Sequence, residues 1–269
     1  MKRLLIIFFS IVLLASCQKE SGVDITGSST ISYSLQTSVR FETKAMGEAS
    51  AINVLWYGVY HKKSNGQYMY MSALSGFVEV TNPSDIKFAI SLINGQEYKL
   101  VFVAQHRYVQ DDKHVYMYTI GEDAVMKRNE ASLLSNGECL DAFVYVDEIG
   151  PVTGSKYKSV TLERPFAQIN FATVQQAQHD FDITIDGVPL SYNILERTYS
   201  QEKTSHVFEN LSPVGGAIKV GGTDYNYLTT LYVFGGNKID CTIVQGSTTK
   251  EISDIDTAPN FKTNIVGNI

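Results

Sequence analysis

The chain has 269 residues, 44% hydrophobic and 11% aromatic, with 22 Lys and Arg against 28 Asp and Glu and a net charge of -6. That length holds one large or two ordinary globular domains. An acidic surface with no Lys/Arg cluster repels phosphate backbones, so nucleic acid is excluded as a partner on electrostatic grounds.

Met1, Lys2 and Arg3 make a positive start, followed by an apolar run from Leu4 to Phe9 that resumes after Ser10 and ends at Ala15. About a dozen residues fall well short of the ~20 that a membrane-spanning helix needs. Residues 1–16 therefore read as a secretory signal peptide. The segment ends Leu13-Leu14-Ala15-Ser16-Cys17, which resembles the lipobox of bacterial lipoproteins, where the signal is cut before the cysteine and the thiol carries lipid. An ordinary cut near Ala15 beside an incidental cysteine is the alternative. Each buried acyl methylene contributes ~0.8 kcal/mol, so several chains on Cys17 would hold the mature protein on a membrane. Loss of Lys2 and Arg3 with the signal moves the charge balance from -6 to -8.

Residues 17–30 are polar and rich in Gly and Ser, which suits a flexible tether. In ISYSLQTSVRF the apolar Ile31, Tyr33, Leu35, Val39 and Phe41 alternate with Ser32, Ser34, Gln36, Ser38 and Arg40, the pattern of a half-buried strand. Further short strand-like runs follow at NVLWYGVY, QYMYMS, GFVEV, IKFAISL, YKLVFVA and HVYMYTI, separated by turn signals such as Ser64-Asn65-Gly66, Asn82-Pro83 and Asn94-Gly95. Glu122–Leu134 predicts the one plausible helix, with acids first, Lys127 and Arg128 later and a stop at Asn136-Gly137. The second half repeats the strand style. Many short strands rich in Tyr, Phe, Val and Ile predict an all-β protein of two β-sandwiches, residues 31–155 and 156–269, with at most one or two short helices. The expected boundary is the loop-like span from Val146 to Tyr157.

Signatures of chemistry are scarce. HExxH, GxSxG, GxxxxGKS/T and CxxC do not occur, so the reading is non-enzymatic, with no cofactor and no metal. His106, Asp111, Asp112 and His114 lie close in QHRYVQDDKHVY, but Asp111-Asp112-Lys113 reads better as a solvated hairpin turn. Asp180, Asp182, Thr184 and Asp186-Gly187 hint at a calcium loop. Ile185 stands where the EF-hand needs Gly and Ser191 where it needs Glu, so this reads as a strand with an acidic outer face. In an exported protein Cys139 and Cys241 could pair, closing a loop worth ~4.7 kcal/mol on the chain-entropy account. Cys241 in IDCTIV reads instead as a small buried hydrophobe. The sixteen tyrosines invite glycan stacking, though packing explains them as well.

Three stretches, LERPFAQINFAT (Leu162–Thr173), YNYLTTLYVF (Tyr225–Phe234) and NFKTNIVGNI (Asn260–Ile269), resemble recurring segments of fimbrillin-like lipoproteins, the type V pilin family of anaerobic Gram-negative bacteria. Looser matches at ETKAMGEASAINVLWYGVY, GQEYKLVFVAQ and DAFVYV spread the similarity along nearly the whole mature chain. The resemblance implies tandem transthyretin-like Greek-key sandwiches, export to the outer membrane and cell surface through lipid on Cys17, and assembly with other fimbrial subunits. In such pilins a protease removes an N-terminal strand after a basic residue, and another subunit's strand fills the groove. Here the exchangeable strand would be Ile31 to Val39, with Ile31, Tyr33, Leu35 and Val39 as plugs, cut after Arg40 or Lys44. The alternative is that this strand stays in its own sandwich. The sequence runs to Ile269, close on the Asn-Ile-Val-Gly segment, with no extra C-terminal strand clearly free to be donated, so an anchor, a tip or a non-polymerising member stands as the alternative to a stalk subunit, and a missing C-terminus would give the same pattern. The rival from another class is a surface lipoprotein that captures host glycan or protein and never polymerises.

Overall fold

The computed structural model describes residues 27–38, 49–129, 137–174 and 180–268, and the protein is nearly all β. Cys17, Val39, Arg40 and Lys44 lie outside the described residues. No helix among the described residues is long and apolar enough to cross a membrane.

The first half contains β1 (Ser28–Thr37), β2 (Val54–Lys62), β3 (Tyr68–Tyr70), β4 (Gly76–Glu79), β5 (Ile86–Ile93), β6 (Tyr98–Gln105), β7 (Arg107–Gln110), β8 (Lys113–Tyr116), β9 (Tyr118–Ile120), β10 (Val125–Arg128), β11 (Ala142–Ile149) and β12 (Lys156–Leu162). β1 is the middle strand of a three-stranded sheet, antiparallel to β5 and parallel to β12. That sheet packs against a second one, ordered β11-β6-β2-β3 with β4 also on β2. Between them lies a core that includes Ile31, Tyr33, Leu35, Phe88, Leu55, Val59, Leu100, Phe102 and Phe143.

The second sheet is covered on both faces. On β6, Leu100 and Phe102 enter the first core, whereas Val101 and Val103 enter a second. This explains why LVFVA is a continuous apolar run where β1 alternates, since a strand buried on both sides has no polar face. The opposite face of β2 carries Trp56 and Tyr60 into the second core. Trp56 folds over Gly58, where any Cβ would collide with the indole.

The second half contains β13 (Phe166–Thr173), β14 (Phe181–Pro189), β15 (Ser191–Asn193), β16 (Thr198–Tyr199), β17 (Lys203–Leu211), β18 (Ala217–Val220), β19 (Thr223–Phe234), β20 (Asn237–Gln245), β21 (Thr248–Thr257) and β22 (Lys262–Gly267). They form the sheets β18-β19-β13-β22 and β17-β14-β20-β21, which share the second core through Phe166, Ile169, Phe171, Ile183, Ile185, Leu231, Cys241 and Ile243. A small sheet ordered β16-β15-β10-β9 takes strands from both halves and ties them together.

The structure corrects the expected helix. Gly121 to Ala124 form a tight turn between β9 and β10, with the Ala124 N–H on Gly121 O at 2.9 Å and Ala124 at φ 58°. Asp123 accepts the Val125 N–H at 3.1 Å. Val125–Arg128 is then a strand, paired with β9 and β15. Glu122 and Asp123 mimic a helix N-terminus in charge, but they cap a hairpin. The remainder, 130–134, lies outside the described residues.

Candidate functional site

β1 and the groove that holds it form the site. Along β1 the residues Ser29, Ile31, Tyr33, Leu35 and Thr37 point inward and are buried, while Thr30 and Gln36 are exposed and Ser32 and Ser34 half-buried. Ile31 and Leu35 are 0% exposed and Tyr33 is 1%. Full burial of such side chains contributes about 1.5–3 kcal/mol each, more than any single surface hydrogen bond. The Tyr33 ring meets Phe102 edge-on at 5.0 Å and Phe88 at 6.1 Å. The phenol donates to Asp147 Oδ2 at 2.6 Å, and Lys158 Nζ on β12 holds both oxygens of the same carboxylate at 2.6 and 2.8 Å. Burial first, and then the Asp147 contact, push the Tyr33 hydroxyl far above its ordinary range, so it stays a donor.

The outer face of β1 is held differently. Ser34 Oγ donates to Asp85 at 2.9 Å and Gln36 Nε2 to Thr161 at 3.0 Å, while on the inner face Ser29 Oγ donates to Asn94 at 2.6 Å. The two outer-face bonds are exposed, so water can replace them, and the neutral Gln36–Thr161 bond contributes about 0.5–1.5 kcal/mol.

The strand's exit is clamped. The Ser38 N–H donates to Leu162 O at 2.9 Å, and Arg164 Nη1 donates to Ser38 O at 3.1 Å. Arg164 is itself buried, with Nε and Nη2 each 2.7 Å from one oxygen of Asp141 and the guanidinium carbon 4.3 Å from the Phe143 ring centre. The pairing is bidentate, the strongest arrangement of these groups. Arg164 belongs to the Arg-Pro-Phe-Ala-Gln-Ile-Asn run on which the resemblance chiefly rests.

The other residues of that run lead to the second half. LERPFAQINFAT, YNYLTTLYVF and NFKTNIVGNI supply β13, β19 and β22, which are neighbours in one sheet. Asn170 joins them: its Oδ1 accepts from Gln168 at 3.1 Å and from Thr230 on β19 at 2.7 Å, and its Nδ2 donates to Asn264 on β22 at 2.8 Å.

The remaining candidates are placed as follows. Asp111 and Asp112, at φ 50° and 59°, are the exposed turn between β7 and β8, and His106 Nδ1 lies 2.7 Å from Ala51 O. Among the described residues no cluster of three or more His, Cys, Asp or Glu could hold a metal. On β14, Asp182, Thr184 and Asp186 alternate with the buried Phe181, Ile183 and Ile185, and Asp182 accepts the Asn210 N–H at 2.8 Å. Cys241 is a free, buried thiol whose pKa is raised to about 12, by burial first and Asp186 second.

A second concavity, about 460 Å³, lies on the outer side of β2 and is lined by Trp56, Phe77, Gln105, His114, Tyr116 and Tyr118 among others. Phe77 is half exposed and stacks on Tyr116 at 4.9 Å. The Gln105 side-chain carbonyl accepts the Tyr118 N–H at 2.8 Å, and its amide nitrogen has no partner among the described residues. No local motif marks this cleft.

A family of unknown function, DUF6562, matches residues 23–268. The chain belongs to that family. No curated protein matches it. Among solved structures, a candidate adhesin from Bacteroides thetaiotaomicron aligns with a TM-score of 0.54 at 12% identity, over 86% of this chain and 81% of that one. The fimbrial anchor protein Mfa2 from Porphyromonas gingivalis aligns with a TM-score of 0.51 at 12% identity, over 89% and 91%. A candidate polysaccharide-binding protein of the DUF1812 group, also from B. thetaiotaomicron, gives 0.52 at 12% identity, over 88% and 90%. This DUF6562 chain therefore has the fold of these fimbrial and adhesin-type proteins.

Proposed function

We propose that the chain is a fimbrial subunit or fimbrillin-like surface lipoprotein, carried to the outer membrane by lipid on Cys17, in which β1 is exchanged for a strand from another subunit. The observation that supports exchange is the place of β1: it is a middle strand with hydrogen-bonding neighbours on both sides, buried on one face only. Its withdrawal would leave the edges of β5 and β12 facing each other across an apolar slot. An incoming strand recovers two ladders of backbone bonds, and its alternate side chains refill the pockets of Ile31, Tyr33 and Leu35. Arg40 and Lys44, which follow Ser38 in the sequence, are the basic residues at which cutting would free it. As architecture we read two tandem sandwiches, each opening with a strand that pairs in parallel with its last, β1 with β12 and β13 with β22. Mass spectrometry of sheared surface material and of washed membranes tests the reading. A sheared form that begins at Phe41 or Ala45 is expected. Recovery of nothing but a membrane form acylated at Cys17 with β1 intact would overturn exchange.

A second reading, capture of a glycan without polymerisation, is favoured by the aromatic cleft. The stacked Phe77 and Tyr116 rings offer faces to sugar C–H groups. Loss of glycan binding in Phe77→Ala and Tyr116→Ala, with unchanged thermal stability, is the outcome this reading expects.

A further inference from the structure

Arg128, at the end of β10, contrasts with Arg164. All three of its guanidinium nitrogens are shielded from solvent and none has a hydrogen-bond partner among the described residues. Its contact is the Phe208 ring on β17, 5.1 Å from the guanidinium carbon. None of the ion pairs among the described residues includes it. A buried cation with no carboxylate among the described residues is costly to fold around, and burial accordingly pulls the Arg128 pKa below the usual arginine range. A protein that needed only packing here would carry methionine or leucine.

A cavity of about 310 Å³ adjoins this residue, and its lining includes Lys127, Leu190, Thr204, Ser205, His206 and Phe234. Burial, and then the Arg128 charge, lower the His206 pKa to about 4. The imidazole is therefore neutral at physiological pH and presents one N–H donor without adding a second unbalanced charge. Leu190 and Phe234 supply apolar wall, and Lys127 and Thr204 supply polar groups, while the Ser205 hydroxyl is already engaged with Asp186. One buried positive charge matches one negative charge, and a guanidinium fork matches a planar carboxylate. The apolar wall disfavours a small, fully hydrated inorganic anion.

We propose that this cavity binds a sugar acid, its carboxylate on the Arg128 guanidinium and His206, its hydroxyls on Lys127 and Thr204, and its ring against Leu190 and Phe234. The proposal is independent of strand exchange and of the aromatic cleft, since it uses none of their residues.

The test is calorimetry with the full mature chain, using glucuronate, glucose, sulfate and a blocked aspartate as probes, with the His206 imidazole followed by NMR. Saturable binding of glucuronate but not of glucose is expected, with the His206 pKa raised by at least about one unit because the bound anion offsets Arg128. Arg128→Met should abolish binding and raise the Tm of the free protein, because it removes an unpaired buried charge. Arg128→Lys, which keeps the charge but loses the fork, should bind at least about tenfold more weakly; it serves as the deciding variant if Arg128→Met does not fold. Absence of saturable glucuronate binding, or binding that survives Arg128→Lys at full strength, overturns the proposal. Sulfate binding as tightly as glucuronate reduces the site to an adventitious anion hole. Binding of blocked aspartate with none of glucuronate would reassign the occupant to a polypeptide side chain.

Discussion

β1 and β13 occupy the same topological position in the two halves of the molecule. Each is a middle strand with an antiparallel neighbour on one side, β5 or β19, and a parallel one on the other, β12 or β22. They differ in what covers them. All eight residues of β13 are buried, whereas β1 alternates and turns Thr30, Ser32, Ser34 and Gln36 outward. The same order and direction of neighbours thus yields one strand locked between two layers and one held in an open-topped groove. Backbone hydrogen bonds can be re-formed by any incoming strand. Burial on a second face cannot be given up without dismantling the molecule.

The largest effect that separates the two should come from removing them. Deletion through residue 44 strips the first core of Ile31, Tyr33 and Leu35, a loss of about 5–9 kcal/mol at 1.5–3 per side chain. A synthetic Ser28–Thr37 peptide added in trans should restore much of the Tm, because the groove persists. The equivalent peptide for β13 should rescue nothing in a chain that lacks it. If the β1 peptide also fails to rescue, the supposed difference between the strands is wrong.

The clamp comes next. Asp141→Ala would leave the Arg164 guanidinium buried without its carboxylate, at a cost of about 3–5 kcal/mol. Asp141→Leu combined with Arg164→Met should regain most of that stability while releasing Ser38. Limited trypsin digestion after Arg40 or Lys44 should then be faster in the double variant than in the wild type at equal Tm. Equal rates would show that Arg164 braces the core and not the exit of β1.

Acid should act on the second half. The His206 pKa, lowered to about 4 from an ordinary 6.5, means that the unfolded chain binds the extra proton between those values and the folded chain does not. Stability therefore falls as pH drops from 6.5 to 4, by up to about 3 kcal/mol. His206→Gln should flatten this part of the curve. Denaturant titrations at pH 7, 5.5 and 4.5 measure it, and a slope unchanged by His206→Gln would refute the assignment.

How much of this was legible in the sequence varies with distance along the chain. The alternation from Ile31 to Leu35 and the hairpin turn at Asp111-Asp112 are local and could be read directly. Glu122-Asp123 followed by Lys127 and Arg128 imitates a helix in charge order, and only the pairing of Met126 with Ile120 and Tyr192 shows a strand. The Arg164–Asp141 pair spans 23 residues and has no local signal. The resemblance singled out the segments that become β13, β19 and β22, but not that Asn170, Thr230 and Asn264 would join them in one network. Nothing in the pattern around Arg128 distinguishes it from a solvated arginine, because what sets it apart is the absence of a partner in space.

The smallest effect bears most directly on how β1 is held. Tyr33 makes the strand's buried side-chain bond to a charged group, through its hydroxyl to Asp147. Tyr33→Phe keeps the ring against Phe102 and Phe88 and loses that bond. Hydrogen bonds to charged groups are worth about 1.5–3 kcal/mol, but Lys158 still holds both oxygens of Asp147, so the cost should fall near the lower end, about 1.5 kcal/mol. Lys158 lies on β12 and would stay in the groove after β1 departs, keeping Asp147 paired. The groove would therefore be left without an uncompensated charge. A measured loss well above 3 kcal/mol would mean that Lys158 does not compensate Asp147, and that withdrawal of β1 carries an electrostatic penalty which an incoming strand must remove with its own donor at the same position.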